Sequence, residues 1–322
     1  MSDVEAKQLI AQARHITIIG HVSPDGDAVG SILGLSAALS RVNKECLLVL
    51  PDRVPEIFRF LPGVDNIAEK PARLDATDLI IVLDASDPNR LGTVYSDNLD
   101  LFQSVPILNI DHHSTNSFTT TSAIIDPTAA ATAELITMLL HELSIPLDTV
   151  AAICLLTAVV SDTQCFRTPS TTARSLEIAV RLMEAGASLS WVVDCLYKKQ
   201  PITKVSLWGQ ALSTMQLSGK VVWACVTRDA FIKSKASVEE TDGLVDVLAG
   251  VREATVAALF KEIPGGGIKI SLRSSGDVDV AQLAAYFNGG GHAGAAGFFL
   301  DCSIEQAQEL VVSHINRELS GN

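Results

Sequence analysis

VPILNIDHHSTN, residues 105–116, runs from an apolar segment straight into one Asp and two consecutive His. A short, continuously apolar run bounded by turn residues has the form of a strand buried on both faces. Asp111, His112 and His113 then sit at that strand's carboxyl end. The form recurs: HITIIG (15–20), ECLLVL (45–50), DLIIVLD (78–84) and SAIIDP (122–127) read as further strands. A helical pattern over 28–42 and a short helix near VPEIFRF (54–60) fall between them. Strands interleaved with helices predict an α/β domain with a parallel sheet and helices on both faces.

Beyond this region the pattern changes. Residues 129–216 are helical, in five stretches from ATAELITMLLHEL (131–143) to ITKVSLWGQALSTMQ (202–216), punctuated by Gly186 and Pro201. KVVWACVT (220–227), TVAALFKEI (255–263) and GIKISLRSS (267–275) read as strands with more alternation, with helical patterns at 237–250, 279–287 and 303–318. This predicts a smaller α+β domain with a mixed sheet. The expected division is 1–190, a helical linker over 191–217, and 218–322. No internal repeat is visible.

Composition limits the function. The chain has 322 residues, 48% of them hydrophobic, which is enough for two domains with buried cores. The longest apolar run, VAAICLLTAVV (150–160), is shorter than the roughly 20 residues that span a membrane. The first ten residues lack a basic-then-apolar signal pattern, so a cytoplasmic protein without membrane contact is expected. Six Cys without a C-x-x-C pair read as buried thiols in a reducing compartment. Net charge is −13, with −11 on residues 1–190 and −2 on the rest. Long duplex or single-stranded nucleic acid, gripped mainly by Lys and Arg, is a poor partner for such a surface. Phosphate esters remain accessible if bound cations reverse the local sign.

The candidate chemistry gathers at strand ends. GHVSPDGDAVGS (20–31) carries His21, Asp25 and Asp27 between the first strand and the first helix; Asp27 also suits a helix N-cap. Asp84 ends one strand, and Asp111, His112 and His113 end another. Asp162 follows a very apolar helix, where a charge is costly unless paired or metal-bound. A parallel sheet brings such ends to one edge, the edge where ligands bind in open α/β sheets. His21, Asp25, Asp27, Asp84, His112 and Asp162 form an oxygen- and imidazole-rich ligand set without thiolate. That set suits two divalent ions of the Mn²⁺, Mg²⁺, Fe²⁺ or Co²⁺ type. His113 is left free to contact a phosphate or leaving group, and Asp111 could orient a ligating imidazole. FNGGGHAGAAGF (287–298) offers Gly289, Gly290, Gly291 and His292 as a backbone cradle for an anion, or else a tight packing turn. Arg273, on a strand, could add a bidentate phosphate contact.

In this order and spacing, HVSPDGDAVGS, VLDASD, DHH, VVSDT and GGGHAGAAG resemble the DHH phosphoesterase superfamily. Within it they are most similar to the oligoribonuclease (nanoRNase) and 3′-phosphoadenosine-5′-phosphate phosphatase group. The resemblance spans about residues 10–318. It implies a DHH domain joined to a DHH-associated substrate domain, with catalysis in the cleft between them. It also implies Mn²⁺ at His21, Asp25, Asp27, Asp84, His112 and Asp162, with Asp111 and His113 completing the triplet. Gly289, Gly290, Gly291, His292 and Arg273 would hold the substrate. Asn288 departs from the pattern, standing where some members carry a fourth Gly. The implied activity is hydrolysis of short oligoribonucleotides to mononucleotides, of 3′-phosphoadenosine-5′-phosphate to AMP, or both. Cyclic or linear dinucleotides are the alternative substrates, a nucleotide sensor without turnover the alternative class, and a homodimer is compatible with the reading.

Overall fold

The computed structural model describes residues 2–70, 74, 76–263, 265–274 and 278–320. The chain divides into two compact units, Met1–Lys199 and Gln200–Asn322.

In the first unit a six-stranded sheet is formed by β1 (His15–Ile19), β2 (Glu45–Val49), β3 (Ile67–Ala68), β4 (Leu79–Leu83), β5 (Ile107–Asp111) and β6 (Ser122–Ile125). Their order is β3-β2-β1-β4-β5-β6, and every pairing is parallel. The helices are α1 (Ser2–Gln12), α2 (Gly26–Ser40), α3 (Gly92–Ser96), α4 (Leu99–Ser104), α5 (Thr132–Glu142), α6 (Thr149–Asp162), α7 (Ala173–Glu184) and α8 (Leu189–Val193). Alternate strand residues feed two cores. Ile16, Ile18, Ile81, Leu108 and Ile110 pack with α1, α2, α5 and α6, while Ile19, Val49, Ile80 and Val82 pack with Leu91, Val94 and Phe102. Burial on both faces is why β4 is wholly apolar, and it encloses even Asn109 and Asp111, the two polar residues of β5. The strand order reverses between β1 and β4, which creates a crevice outside their carboxyl ends.

Details differ from the sequence expectation. α2 starts at Gly26 rather than residue 28, because Asp25, not Asp27, caps it: Asp25 Oδ1 accepts from the N–H of Asp27 at 3.0 Å and of Ala28 at 3.1 Å. The short helix near residue 56 is a single 3₁₀ turn, Glu56–Phe58. α3 and α4 lack a long periodic pattern and were not legible.

α2 lies antiparallel against α6 at unusually short range. Gly26, Gly30 and Gly34, four residues apart, face it. A Cβ on Gly30 would stand 2.5 Å from the Cys154 carbonyl oxygen, and one on Gly34 would stand 2.5 Å from Leu155 Cγ. This approach brings the first turn of α2, with Asp27, beside the last residue of α6, Asp162.

The second unit contains α9 (Ile202–Leu212), β7 (Gln216–Ser218), β8 (Val221–Val226), α10 (Arg228–Ser234), α11 (Leu244–Ala249), β9 (Val256–Glu262), β10 (Ile268–Ser274), α12 (Val280–Ala285), β11 (Gly290–His292), β12 (Ala295–Leu300) and α13 (Ile304–Leu319). Its sheet runs β11-β12-β10-β9-β8-β7, with β8 and β9 parallel and the other pairs antiparallel. One face packs on α12 and α13, the other on α9, α10 and α11. Cover on both sides leaves β8 wholly buried and β9 buried up to Lys261, so the alternation expected for them is confined to β10 and β12. The last residue of the expected third strand, Ser275, lies outside the described residues. Among the described residues no helix is long and apolar enough to cross a membrane.

Candidate metal centre

The carboxyl edge of the first sheet gathers the His and Asp residues of four chain segments. His21 follows β1, Asp25 and Asp27 open α2, Asp84 follows β4, Asp111 ends β5 with His112 and His113 beyond it, and Asp162 ends α6. Three sets of side chains have ligand atoms within 4.8 Å of one another: His21, Asp25 and Asp84; Asp84, His112 and His113; Asp27, His112 and Asp162. His21 Nε2 lies 3.3 Å from Asp84 Oδ2 and 3.8 Å from Asp25 Oδ1. His112 Nε2 lies 3.5 Å from Asp84 Oδ1, 3.4 Å from Asp162 Oδ2 and 3.9 Å from Asp27 Oδ2. Asp84 thus presents Oδ2 to His21 and Oδ1 to His112. Its backbone is left-handed (φ 59°), a conformation Asp tolerates better than most residues, and this turn follows directly on the strand.

The two imidazoles share one arrangement. His21 Nδ1 faces the Val22 carbonyl at 2.8 Å, and His112 Nδ1 faces the Ala129 carbonyl at 3.2 Å. Donation of Nδ1–H to a backbone carbonyl leaves Nε2 as the atom turned toward the carboxylates, the usual way a metal-binding His is oriented. Arg90 Nη2 lies 3.0 Å from the same His21 Nδ1 and, as a guanidinium can only donate, competes with the Val22 carbonyl for that nitrogen while adding fixed positive charge beside the cluster.

So dense a set of acceptors calls for positive charge. Burial, together with Asp84 and Asp162, pushes the Asp27 carboxyl well above the usual range. Burial and the neighbouring Asp84 and Asp25 do the same to Asp162. Asp162 is also the last residue of α6, where the helix dipole disfavours a carboxylate. Burial works against a charged His21, but Asp25 and Asp84 outweigh it and raise the imidazole to about 10. Asp25 is pushed up by its surroundings, yet His21 and the N–H groups of α2 bring it below the ordinary value. The same crowding of carboxylates that favours protons on Asp27, Asp162 and His21 favours divalent cations. Carboxylate and imidazole donors without thiolate fit hard or borderline ions.

Asp111 and His113 form a separate pair. His113 Nδ1–H donates to Asp111 Oδ1 at 2.7 Å, and Asn116 Nδ2 donates to Asp111 Oδ2 at 2.5 Å. Burial raises the Asp111 carboxyl, but His113 and Asn116 more than reverse this; Asp111 in turn raises His113 despite burial. Asp111 orients His113, not His112.

Two supporting groups were not found from the sequence. Thr132 donates its N–H to Asp27 Oδ2 at 2.5 Å and its hydroxyl to Asp84 Oδ1 at 3.1 Å. Ala133 N–H donates to Asp27 Oδ1 at 3.1 Å. Asp27 therefore caps α5, a helix that its neighbour in sequence gives no hint of. Only the S/T-type residue at the start of a helical pattern could have drawn attention to Thr132.

In the second unit the Gly-rich stretch is not a turn alone. Gly290 and Gly291 lie in β11, an edge strand paired with Gly297 and Ala296 of β12. A Cβ at Gly289 would stand 2.5 Å from the Gly297 carbonyl oxygen, so close strand approach demands glycine there. Asn288 takes a left-handed backbone (φ 58°), which Asn accepts nearly as Gly does. The side chain of His292 lies outside the described residues. Arg273 Nε donates to Asp246 Oδ1 on α11 at 2.8 Å, and Nη1 donates to the Leu272 carbonyl at 3.1 Å.

Residues 15–159 match the model of the DHH family, N-terminal domain, and residues 218–321 match that of the DHHA1 domain. The chain is 33% identical over 318 residues to the bifunctional oligoribonuclease and PAP phosphatase NrnA of Thermus thermophilus, covering 98% of this chain and 93% of that protein. It is 27% identical to the cyclic-di-AMP phosphodiesterase PdeA of Listeria monocytogenes, covering 98% of this chain and 49% of PdeA. Among solved structures, an exopolyphosphatase-related protein from Bacteroides fragilis superposes with a TM-score of 0.91 at 25% identity, over 98% of this chain and 96% of that one.

Proposed function

This chain belongs to the DHH family of metal-dependent phosphoesterases, and from that premise we propose that it hydrolyses short oligoribonucleotides to mononucleotides and 3′-phosphoadenosine-5′-phosphate to AMP. Two Mn²⁺ ions are the proposed cofactors, held by His21, Asp25, Asp27, Asp84, His112 and Asp162. The observation that carries this reading is the position of Asp84, one oxygen toward His21 and the other toward His112. One carboxylate between two groups of acceptors suits a pair of cations. The likeness to NrnA over nearly the whole length of both chains favours these substrates over cyclic-di-AMP, since PdeA is matched over about half its length.

Divalent cations at such a site supply Lewis acidity toward a phosphoryl oxygen and a nucleophile at neutral pH. The chain's own residues do the rest. Asp111 fixes the His113 ring through Nδ1, which leaves Nε2 to hold a phosphate oxygen or deliver a proton to the departing one. Val22 and Ala129 fix the other two imidazoles through their carbonyls. In the second unit, the outer edge of β11 at Gly290 and Gly291 supports an anion cradle, with Gly289 leading into it (its own N–H donated to the Ala284 carbonyl) and with His292 and Arg273 as further phosphate contacts. An acidic chain suits small substrates in the cytoplasm better than long strands.

The test is a product profile. Purified protein with Mn²⁺ is given labelled RNA of two to five nucleotides, 3′-phosphoadenosine-5′-phosphate, cyclic-di-AMP and its linear dinucleotide. Mononucleotides from the short RNAs and AMP from the bisphosphate are expected. Turnover of cyclic-di-AMP alone would replace this reading with that of the dinucleotide enzymes, and no turnover of any would leave a sensor.

A further inference from the structure

Arg174 lies on α7, itself outside the set of proposed ligands, and its guanidinium reaches both ends of one loop some 40 or more residues earlier in the chain. Nη1 donates to Asp126 Oδ2 at 2.7 Å, Nη2 to Thr128 Oγ1 at 3.3 Å, and Nε to Glu134 Oε2 at 3.1 Å. Asp126 stands just past β6, and Glu134 is in the first turn of α5. Between them lie Ala129, whose carbonyl takes the His112 Nδ1–H, and Thr132 and Ala133, whose N–H groups hold Asp27. The Thr132 hydroxyl also reaches Asp84. The segment 126–134 thus supplies hydrogen bonds to three proposed ligands, and Arg174 ties its two ends together.

The anchoring is internal to the fold. The Glu134 side chain is fully buried, and its Oε1 has no hydrogen-bond partner among the described residues. Its other oxygen is held by Arg174, so the carboxylate is poorly solvated and has strong reason to keep that contact. Asp126 in turn accepts from Thr128 N at 2.8 Å and Thr128 Oγ1 at 2.6 Å, which shapes the start of the loop. A guanidinium can meet three acceptors in different directions with a fixed planar fork; an ammonium on a flexible stem cannot hold the same span.

We propose that Arg174 is a positioning residue for the metal centre: by pinning residues 126–134 it sets the direction of His112 Nε2 and of the Asp27 carboxylate. It touches neither the cations nor the substrate. The inference rests on the metal-dependent reading above.

Two variants test it: Arg174→Lys, which keeps the charge opposite Glu134 but loses the fork, and the double variant Arg174→Gln with Glu134→Gln, which removes the half-buried cation together with the buried carboxylate. Mn²⁺ binding is measured by electron paramagnetic resonance of free Mn²⁺ and by calorimetry. Activity on the bisphosphate nucleotide is followed as Mn²⁺ is raised. Supporting groups of this kind alter metal affinity by about 10- to 100-fold. A loss of that size is expected in both variants, with kcat recovering toward wild type at saturating Mn²⁺. Wild-type Mn²⁺ affinity in either folded variant overturns the inference, whatever happens to thermal stability, because a merely structural ion pair would lower stability and leave affinity alone. A wild-type protein that binds no Mn²⁺ would overturn the metal-dependent reading itself.

Discussion

Gly30→Ala should loosen the first unit and weaken its hold on metal together. Alanine is the better helix former, by about 0.8–1.0 kcal/mol, so propensity alone favours the change. The neighbour forbids it: the new Cβ would be 2.5 Å from the Cys154 carbonyl oxygen and 2.9 Å from Ala158 Cβ, where real contacts are essentially never under 3.0 Å. α2 and α6 must therefore part by at least about 0.5 Å, and overpacking of this kind costs about 1–3 kcal/mol. The net expectation is a destabilisation of up to about 2 kcal/mol. Functional constellations must be held to within about 0.5 Å, so parting the helices that carry Asp27 and Asp162 by that much or more should also weaken Mn²⁺ binding. Gly209→Ala is the counterpart. Gly209 is inside α9, and a Cβ there would meet nothing within 4 Å, so that change should stabilise the second unit by about 0.5–1 kcal/mol. Urea-dependent hydrogen exchange of peptides from α2 and α6, and separately from α9, reads each effect where it arises. A Gly30→Ala protein as stable as wild type, with unaltered Mn²⁺ affinity, would show that the helix contact does not hold the site in register.

Other consequences can be measured alongside. Asp84→Asn, which removes the charge between the two groups of ligands, should cut Mn²⁺ affinity by at least about 100-fold, the upper end of what lesser supporting groups achieve; calorimetry giving wild-type binding would remove Asp84 from the centre. Asp111→Asn takes away the anion that orients His113, and should lower kcat by about 100-fold or more while leaving Mn²⁺ affinity near wild type, as for loss of a positioned acid–base group. Mn²⁺ must displace the His21 proton, bound at about 10 in the metal-free protein. Affinity should then rise by at least about tenfold per pH unit between pH 7 and 9, because the His21 proton alone must be released and the raised Asp27 and Asp162 carboxyls act in the same direction; a flat dependence would contradict the assignment. Without metal, the same proton contributes stability that is complete below about 6.5 and is lost as pH rises through about 10. Asp27 and Asp162 act in the same direction, so Mn²⁺ should raise Tm more at pH 9 than at pH 6.5.

What the sequence disclosed was local in origin. β4 and β5 announce themselves as apolar runs, and the polar residues at their ends are conspicuous by contrast, so Asp84, Asp111, His112 and His113 could be assigned to one sheet edge. Asp27 shows the boundary of that method. It looks like a cap for its own helix, but Asp25 performs that task, while Asp27 caps α5, whose N–H donors lie 105 and 106 residues away. Thr132 and Arg174 were silent for the same reason, since their importance lies in tertiary partners. The repeat Gly26-x-x-x-Gly30-x-x-x-Gly34 was in plain view and signals close helix contact by its spacing alone. Glycine is a poor strand former, so GGGH read as an anion cradle or a packing turn and not as a strand, although close pairing with β12 makes Gly290–His292 an edge strand.

The placement of the acids at helix ends explains why this centre is charged rather than merely polar. Asp27 sits at the N-terminus of α5, where two N–H groups and the dipole favour a carboxylate, yet burial among other acids still drives its protonation. Asp162 sits at the opposite kind of end, the C-terminus of α6, and among the described residues no hydrogen-bond donor other than an imidazole faces it. A fold selected for stability alone would hardly bring these two together. The glycine contact between α2 and α6 forces them close, and the left-handed turn at Asp84 adds a third carboxylate at a backbone cost of about 1–3 kcal/mol. Each device raises the negative potential at one point, and each is relieved by the same thing, a cation of charge two. At the same free Mn²⁺ concentration, occupancy should therefore stabilise this unit more than it does a protein with a solvent-exposed acidic patch, through a lower Kd; the gain reaches about 2.7 kcal/mol once Mn²⁺ is at 100 times that Kd.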